Sequence, residues 1–405
     1  MVQGFNRLSC QLSSQVIGHI CQRLSVGQHE QRAKDVTLGS VARDRLIQLL
    51  SSFSATAPSG KAERMPRSIV WRITGRCNLR CLHCSASASP DKSNCELERE
   101  KKLDLVKQIA QTGFQKVVIS GGEPLLDEDF WRIITAARSM RLKVKVNSNG
   151  WLIHRAVAQR LRDEGVSTVQ IALHGAHAEL HDTITGVEGS FQRAARALRL
   201  CARAGINTVA SSVLTRFNHG SIADIADFAE HAGAHFYLKR LHPIGRAKGN
   251  FTSLAATPAE FRSALESLRN YYGEELVENF TRYLRTKNGW CVAYACPCIQ
   301  PNGSVTPCAE MSQPVGNLAQ SNLSEVWREI WCGETCVRIA NREVRGKCSS
   351  CSILNVCGGG CRADAVGLAS DVLAPDPYCW YGEHEAKEGD LLPVLNVIGL
   401  LLGWL

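Results

Sequence analysis

Cys77, Cys81 and Cys84 stand at the spacing C-x3-C-x2-C in the stretch Ile73-Thr74-Gly75-Arg76-Cys77-Asn78-Leu79-Arg80-Cys81-Leu82-His83-Cys84. Three thiolates this close can ligate three irons of a 4Fe–4S cluster and leave the fourth iron open to a substrate or cofactor. Near the other end, Cys348, Cys351, Cys357 and Cys361 give C-x2-C-x5-C-x3-C. Cys291, Gly303 and Cys308 give C-x11-G-x4-C upstream of that set, and Cys379 stands beyond it. Four thiolates suit tetrahedral zinc as well as an iron–sulfur cluster. The first residues, Met1–Phe5, show no basic region followed by an apolar run. No secretory signal is therefore visible, and the expected location is cytoplasmic. In a reducing compartment, clustered thiols among the 18 cysteines read as metal ligands rather than disulfides.

Residues from Ser68 to about His242 must position the first triad. Short apolar runs predict strands at Ile69–Ile73, Lys116–Ser120, Leu142–Asn147, Thr168–Leu173, Asn207–Leu214 and His235–Leu241. Helical stretches lie between them at Leu97–Thr112, Phe130–Met140, Ala156–Glu164, Phe191–Ala204 and Ile222–Ala232. In the first helix Leu103, Val106 and Ala110 fall on one face. This alternation predicts parallel βαβ units. Six units are too few for a closed eightfold barrel and suit an open partial barrel, with its site at the C-terminal ends of the strands. The cysteine loop follows the first strand directly, which puts it at that end.

A chain of 405 residues exceeds one ordinary core. The expected α/β architecture is an N-terminal extension (1–66), the six-unit partial barrel (67–245), a helical connector (246–287), a small cysteine-rich domain (288–385) and an apolar tail (386–405). Within these, Ala42–Phe53 reads as a helix, Ser54–Pro66 as a linker, and Thr257–Lys287 as helical with Gly273 interrupting it. The apolar run Leu391–Leu405 falls short of the roughly 20 residues of a membrane span. Docking of that run on the protein itself is the expectation, ahead of membrane contact. Clusters of charge about −1 with three thiolates and about −2 with four would lower the formal +9 to about +4. That mild excess fits an acidic partner such as a leader peptide and does not argue for nucleic acid.

Gly121-Gly122-Glu123-Pro124 follows the second predicted strand, Asn147-Ser148-Asn149-Gly150 ends the third, and Leu173-His174-Gly175 ends the fourth. With the cysteine loop after the first strand, this set resembles the radical S-adenosylmethionine (SAM) superfamily. The resemblance implies a 4Fe–4S cluster on Cys77, Cys81 and Cys84 whose open iron binds the amino and carboxylate groups of SAM. It implies that Gly121, Gly122, Glu123 and Pro124 receive the amino group. Asn149 and His174 fall where relatives contact the ribose and methionine parts. His83 takes a position whose aromatic side chain lies near the adenine in relatives, where Tyr or Phe is usual. His181-Asp182-Thr183-Ile184-Thr185-Gly186 resembles a His-Asp-x-x-Arg-Gly stretch, with Thr185 in place of the arginine. Lys239 or Arg240 is then the implied cation for the SAM carboxylate.

The C-terminal array resembles the SPASM domain that follows many radical SAM barrels. It implies two auxiliary 4Fe–4S clusters, making three in all. One would use Cys291, Cys308, Cys361 and either Cys296 or Cys298, with Cys296 preferred. The other would use Cys348, Cys351, Cys357 and Cys379. Ala309 and Glu310 follow Cys308, whereas the sulfatase-maturing subgroup has an acid directly after that cysteine. Segments 238–246 and 357–363 resemble the peptide- and cofactor-maturing branch. The expected reaction is reductive cleavage of SAM to a 5′-deoxyadenosyl radical that removes a hydrogen atom from a ribosomally made peptide. A haem-type tetrapyrrole, sugar or amino acid is the alternative substrate. Implied partners are a low-potential donor such as flavodoxin or ferredoxin and a separate leader-peptide-binding protein.

Overall fold

The computed structural model describes residues 68–91, 96–273, 296–352 and 354–379. Six strands alternate with six helices. They are β1 (Ser68–Arg72), β2 (Lys116–Ser120), β3 (Lys143–Ser148), β4 (Thr168–Ala172), β5 (Asn207–Val213) and β6 (His235–Lys239). The helices are α1 (Arg99–Gln111), α2 (Phe130–Ser139), α3 (Arg155–Asp163), α4 (Ala178–Thr185), α5 (Ser190–Arg203) and α6 (Ile222–His231). Neighbouring strands are parallel and run in sequence order from β1 to β6. Runs such as Val117-Val118-Ile119 are buried at every position, as expected of a parallel sheet covered on both faces. The partial β/α barrel expected from the alternation is the fold observed.

Two features escape the periodicity. The eight-residue helix α4 falls in the stretch read above only as a His-Asp motif. The cysteine-rich region also joins the barrel's own sheet. β7 (Cys298–Ile299) pairs parallel with β1, and β8 (Ser304–Thr306) and β9 (Gly316–Asn317) follow antiparallel. Strands of two or three residues carry no detectable alternation. On α1 the sheet-facing residues are Leu105, Val106 and Ile109, whereas Leu103 and Ala110 are half-buried at the flanks.

Thr257 caps α7 (Pro258–Tyr272) in a reciprocal box with Glu260, and Gly273 at φ 86° ends it. The cysteine-rich part adds α8 (Leu323–Cys332), α9 (Glu334–Ala340) and α10 (Arg362–Ala369). The expected helix at 42–53, the linker, helix beyond Gly273, the apolar tail and Cys291 lie outside the described residues. Among the described residues no helix is long and apolar enough to cross a membrane.

Candidate active site

The loop after β1 carries the cysteine triad. Its entry is set by Glu96, whose carboxylate accepts from Thr74 Oγ1 (3.0 Å) and the Gly75 N–H (2.7 Å). Its far side is tied to α4, with Arg80 N–H donating to Thr185 O (3.0 Å) and Leu82 N–H to Ile184 O (2.9 Å). Arg246 donates to Cys81 O (2.9 Å) and Ala88 O (2.5 Å), and Asn250 donates to Leu82 O (3.0 Å). Cys77 and Leu79 are buried with Ala88, and Cys81, Cys84, Ala86, Trp151 and Val187 pack against them. Sulfur receives N–H donors from Leu79 (3.4 Å) and the Asn149 amide (3.7 Å) on Cys77.

This donor set fits an iron–sulfur cluster. Burial pushes the Cys77 thiol up to about 11, and neighbouring Glu123 and Cys84 charges add to it. Burial pushes Cys81 up further, with Cys84 and Cys77 adding to the shift. Three thiolates in an apolar wall persist only when a metal cation offsets that cost.

The two glycines before Glu123 serve the packing of this loop. A Cβ on Gly121 would lie 2.5 Å from Thr74 O, and one on Gly122 would lie 2.1 Å from Arg76 O. The Gly122 N–H bonds Thr74 O (2.8 Å) and the Glu123 N–H bonds Arg76 O (2.7 Å), stitching the second strand's end onto the cysteine loop. Glu123 is fully buried, and its carboxylate accepts from Ser148 Oγ (2.9 Å), the Asn149 N–H (2.7 Å) and the Leu125 N–H (3.2 Å). The carboxylate therefore ties its own turn to the end of β3. Burial raises its pKa to about 7 against those three donors. Glu123→Ala orphans the donors and is expected to cost about 2–4 kcal/mol, read as a lower urea midpoint.

Asn149 lies beside the triad, donating to Asn78 Oδ1 (2.9 Å) and accepting from the Trp151 N–H (2.9 Å). Its amide thus helps to shape the loop around the triad. His83 and His174 meet edge to face at 4.3 Å, and His174 stacks on His181 at 5.7 Å. His174 N–H donates to His181 Nδ1 (3.0 Å), and His174 Nδ1 accepts from the Val213 N–H (3.3 Å). A neutral His174 therefore carries its proton on Nε2. His83 Nδ1 is buried without a hydrogen-bond partner among the described residues, which leaves an acceptor or donor for a bound molecule. Asp182 accepts from the Gly189 N–H (2.8 Å), Ser190 Oγ (2.7 Å) and the Phe191 N–H (2.8 Å), capping α5. The His-Asp motif is therefore a scaffold in this chain. Burial lowers His181 to about 4, despite the Asp182 charge, and lowers His174 well below its ordinary 6.5. Unfolded imidazoles bind protons that these refuse, so stability should fall as pH drops through 6.5 towards about 4. Denaturant midpoints measured at falling pH check this.

Arg240 is not available to a SAM carboxylate. It donates to Asp376 through both terminal nitrogens (2.8 and 2.7 Å) and lies 3.0 Å from Asp364. Asp376 also accepts from the N–H groups of Cys361 (2.8 Å) and Tyr378 (2.9 Å). Burial raises Asp376, but the Arg240 charge and these hydrogen bonds outweigh it and hold the acid below its ordinary value. The guanidinium ties the end of β6 to the cysteine-rich region. Burial lowers the pKa of Lys239, the last residue of β6; the Glu310 charge opposes that shift and the Arg72 charge adds to it.

In the cysteine-rich region, burial raises the Cys348 and Cys357 thiols; the Cys379 and Cys351 charges add to it at Cys348, and the Asp376, Cys379 and Cys348 charges at Cys357. These charges place Cys348 near Cys351 and Cys379, and Cys357 near Cys348 and Cys379. Of the other set, Cys308 and Cys361 pack together with Met311, Ile339 and Ala363. Cys296 packs instead with Cys298, Val70 and Val118, its sulfur accepting from Ser68 Oγ at 3.3 Å. Sequence reading missed Glu96, Arg246 and Asn250. Arg246 ends a segment already noted for its resemblance, whereas Glu96 and Asn250 had no signal.

Fold and site together define an iron–sulfur enzyme that uses SAM. The sequence pattern of the radical SAM superfamily matches residues 71–229, and the chain belongs to that superfamily. It is 31% identical over 332 residues to the mycofactocin maturase MftC of Mycobacterium ulcerans, covering 78% of this chain and 88% of that one. It is 28% identical over 360 residues to the AdoMet-dependent heme synthase of Oleidesulfovibrio alaskensis, covering 80% and 89%. The fold matches Streptococcus suis SuiB bound to its precursor peptide SuiA with a TM-score of 0.62 at 18% identity, over 93% and 90% of the two chains.

Proposed function

We propose that this enzyme modifies a ribosomally made peptide, through crosslinking or oxidation, and carries three 4Fe–4S clusters. The observation that carries the peptide reading is the 31% identity spanning 88% of a maturase. When bound, a cluster with one open iron supplies the electron that cleaves SAM to a hydrogen-abstracting 5′-deoxyadenosyl radical.

In this reading Cys77, Cys81 and Cys84 hold the SAM-binding cluster, and the Gly121–Gly122 backbone with Pro124 borders the amino group. His83 and His174 flank the nucleoside, and Lys239 takes the SAM carboxylate that Arg240 cannot. Cys348, Cys351, Cys357 and Cys379 hold one auxiliary cluster. Cys291, Cys308, Cys361 and Cys296 or Cys298 hold the other. The 28% identity to a heme synthase supports a second reading, a tetrapyrrole substrate.

Anaerobic reconstitution tests the cluster count. About twelve irons per chain are expected, falling to about eight in Cys351→Ala. About four irons in the unaltered protein would contradict the auxiliary sites. Mass spectrometry of a short peptide encoded beside the gene, incubated with SAM and dithionite, separates the peptide from the tetrapyrrole reading.

A further inference from the structure

Helices α3 and α5 pack together on the outside of the barrel. They expose seven arginines: Arg155, Arg160 and Arg162 on α3, and Arg193, Arg196, Arg199 and Arg203 on α5. The nearby acids are Asp163, Glu164 at the end of α3 and Glu188 before α5. Of these, Glu164 faces Arg160 at 3.8 Å. The face is therefore basic well beyond the chain's average.

A cleft opens into this face, lined by Leu125, Trp131, Trp151, Arg193 and Arg196 among others. The Arg193 guanidinium lies 5.4 Å over the Trp151 ring, and Arg160 lies 4.0 Å over Trp131. Trp151 is the link to the chemistry. It lines the cleft and also packs against the group formed by Cys77, Leu79 and Ala88. Its backbone N–H donates to Asn149 Oδ1, and the Asn149 side-chain amide reaches Cys77 Sγ at 3.7 Å. A short path of packed and hydrogen-bonded groups thus runs from a basic, aromatic surface cleft to the cysteine that opens the triad.

We infer that this face is the docking site of an acidic, low-potential electron-transfer protein of the flavodoxin kind. The inference rests on the SAM-cleaving reading above, because that reaction consumes an electron at the triad. Electron transfer requires close approach, and Trp151 touches both the cleft and the wall of the triad. Opposite charge on the partner would steer the encounter, and salt would weaken it.

The test pairs Arg193→Glu/Arg196→Glu with two reductants. With reduced flavodoxin, 5′-deoxyadenosine formation should fall by roughly tenfold or more in the variant, and flavodoxin binding by calorimetry should weaken similarly. With dithionite, a small reductant that needs no docking, the variant should match the unaltered protein. Raising salt from about 50 to about 300 mM should slow only the flavodoxin-driven reaction. Equal losses with both reductants would overturn the inference, as would unaltered flavodoxin binding. So would a variant that loses an acidic leader peptide while keeping flavodoxin. Because binding is read without turnover, an unaltered protein that binds flavodoxin but never cleaves SAM would sink the catalytic reading alone.

Discussion

Gly122→Ala is expected to impair cluster assembly severely, with SAM cleavage down on the order of 100-fold and stability down by about 3 kcal/mol. The added Cβ would sit 2.1 Å from Arg76 O, 2.6 Å from Arg76 C and 2.9 Å from Cys77 Cβ. No rotamer relieves this, because two of the three are backbone atoms. Either the end of β2 or the cysteine loop must move. Movement breaks the bonds from Gly122 N–H to Thr74 O and from Glu123 N–H to Arg76 O, which hold the two loops in register. Iron content, SAM cleavage and the denaturation midpoint should fall together. A variant with full iron and ordinary turnover would show that the close approach is not needed.

Asp376→Ala should be the most destabilising change in the cysteine-rich region, at about 3–5 kcal/mol. Arg240 and Asp376 are each 7% exposed, and removing the acid leaves a buried guanidinium facing Asp364 alone. The same carboxylate receives the Cys361 N–H, and a Cβ on Gly360 would meet it at 2.3 Å. Its loss therefore loosens the segment that presents Cys361. Asp376→Asn keeps an acceptor and should cost less. The folded pKa lies below the ordinary 3.8, so the acid's contribution is complete at neutral pH and fades only as pH falls through the depressed value. Chemical denaturation at pH 7 reads the effect, and a loss under about 1 kcal/mol would refute the strut.

Much of the barrel was legible because each of its strands is a run of five to seven residues bounded by a clear turn. The cysteine triad was legible for a different reason: its three ligands are local, so spacing alone carries the chemistry. Long-range partners were not legible. Arg240 read as a free cation because Asp376 lies 136 residues downstream. Arg246 had no visible task because its acceptors are backbone carbonyls of Cys81 and Ala88, which carry no residue-type signal. The close approach of the Thr74 and Arg76 carbonyls to the Gly-Gly pair was not legible either, since those acceptors are backbone atoms of a distant loop. β7 was hidden by its length, since Cys298–Ile299 acquires strand geometry only from its pairing with Val70–Trp71.

The direct measurement is 5′-deoxyadenosine released from SAM by anaerobically reconstituted protein with dithionite, beside Cys81→Ala treated identically. The account predicts product from the unaltered chain and none above background from the variant. Equal product from both, or none from the fully iron-loaded unaltered chain, would contradict it.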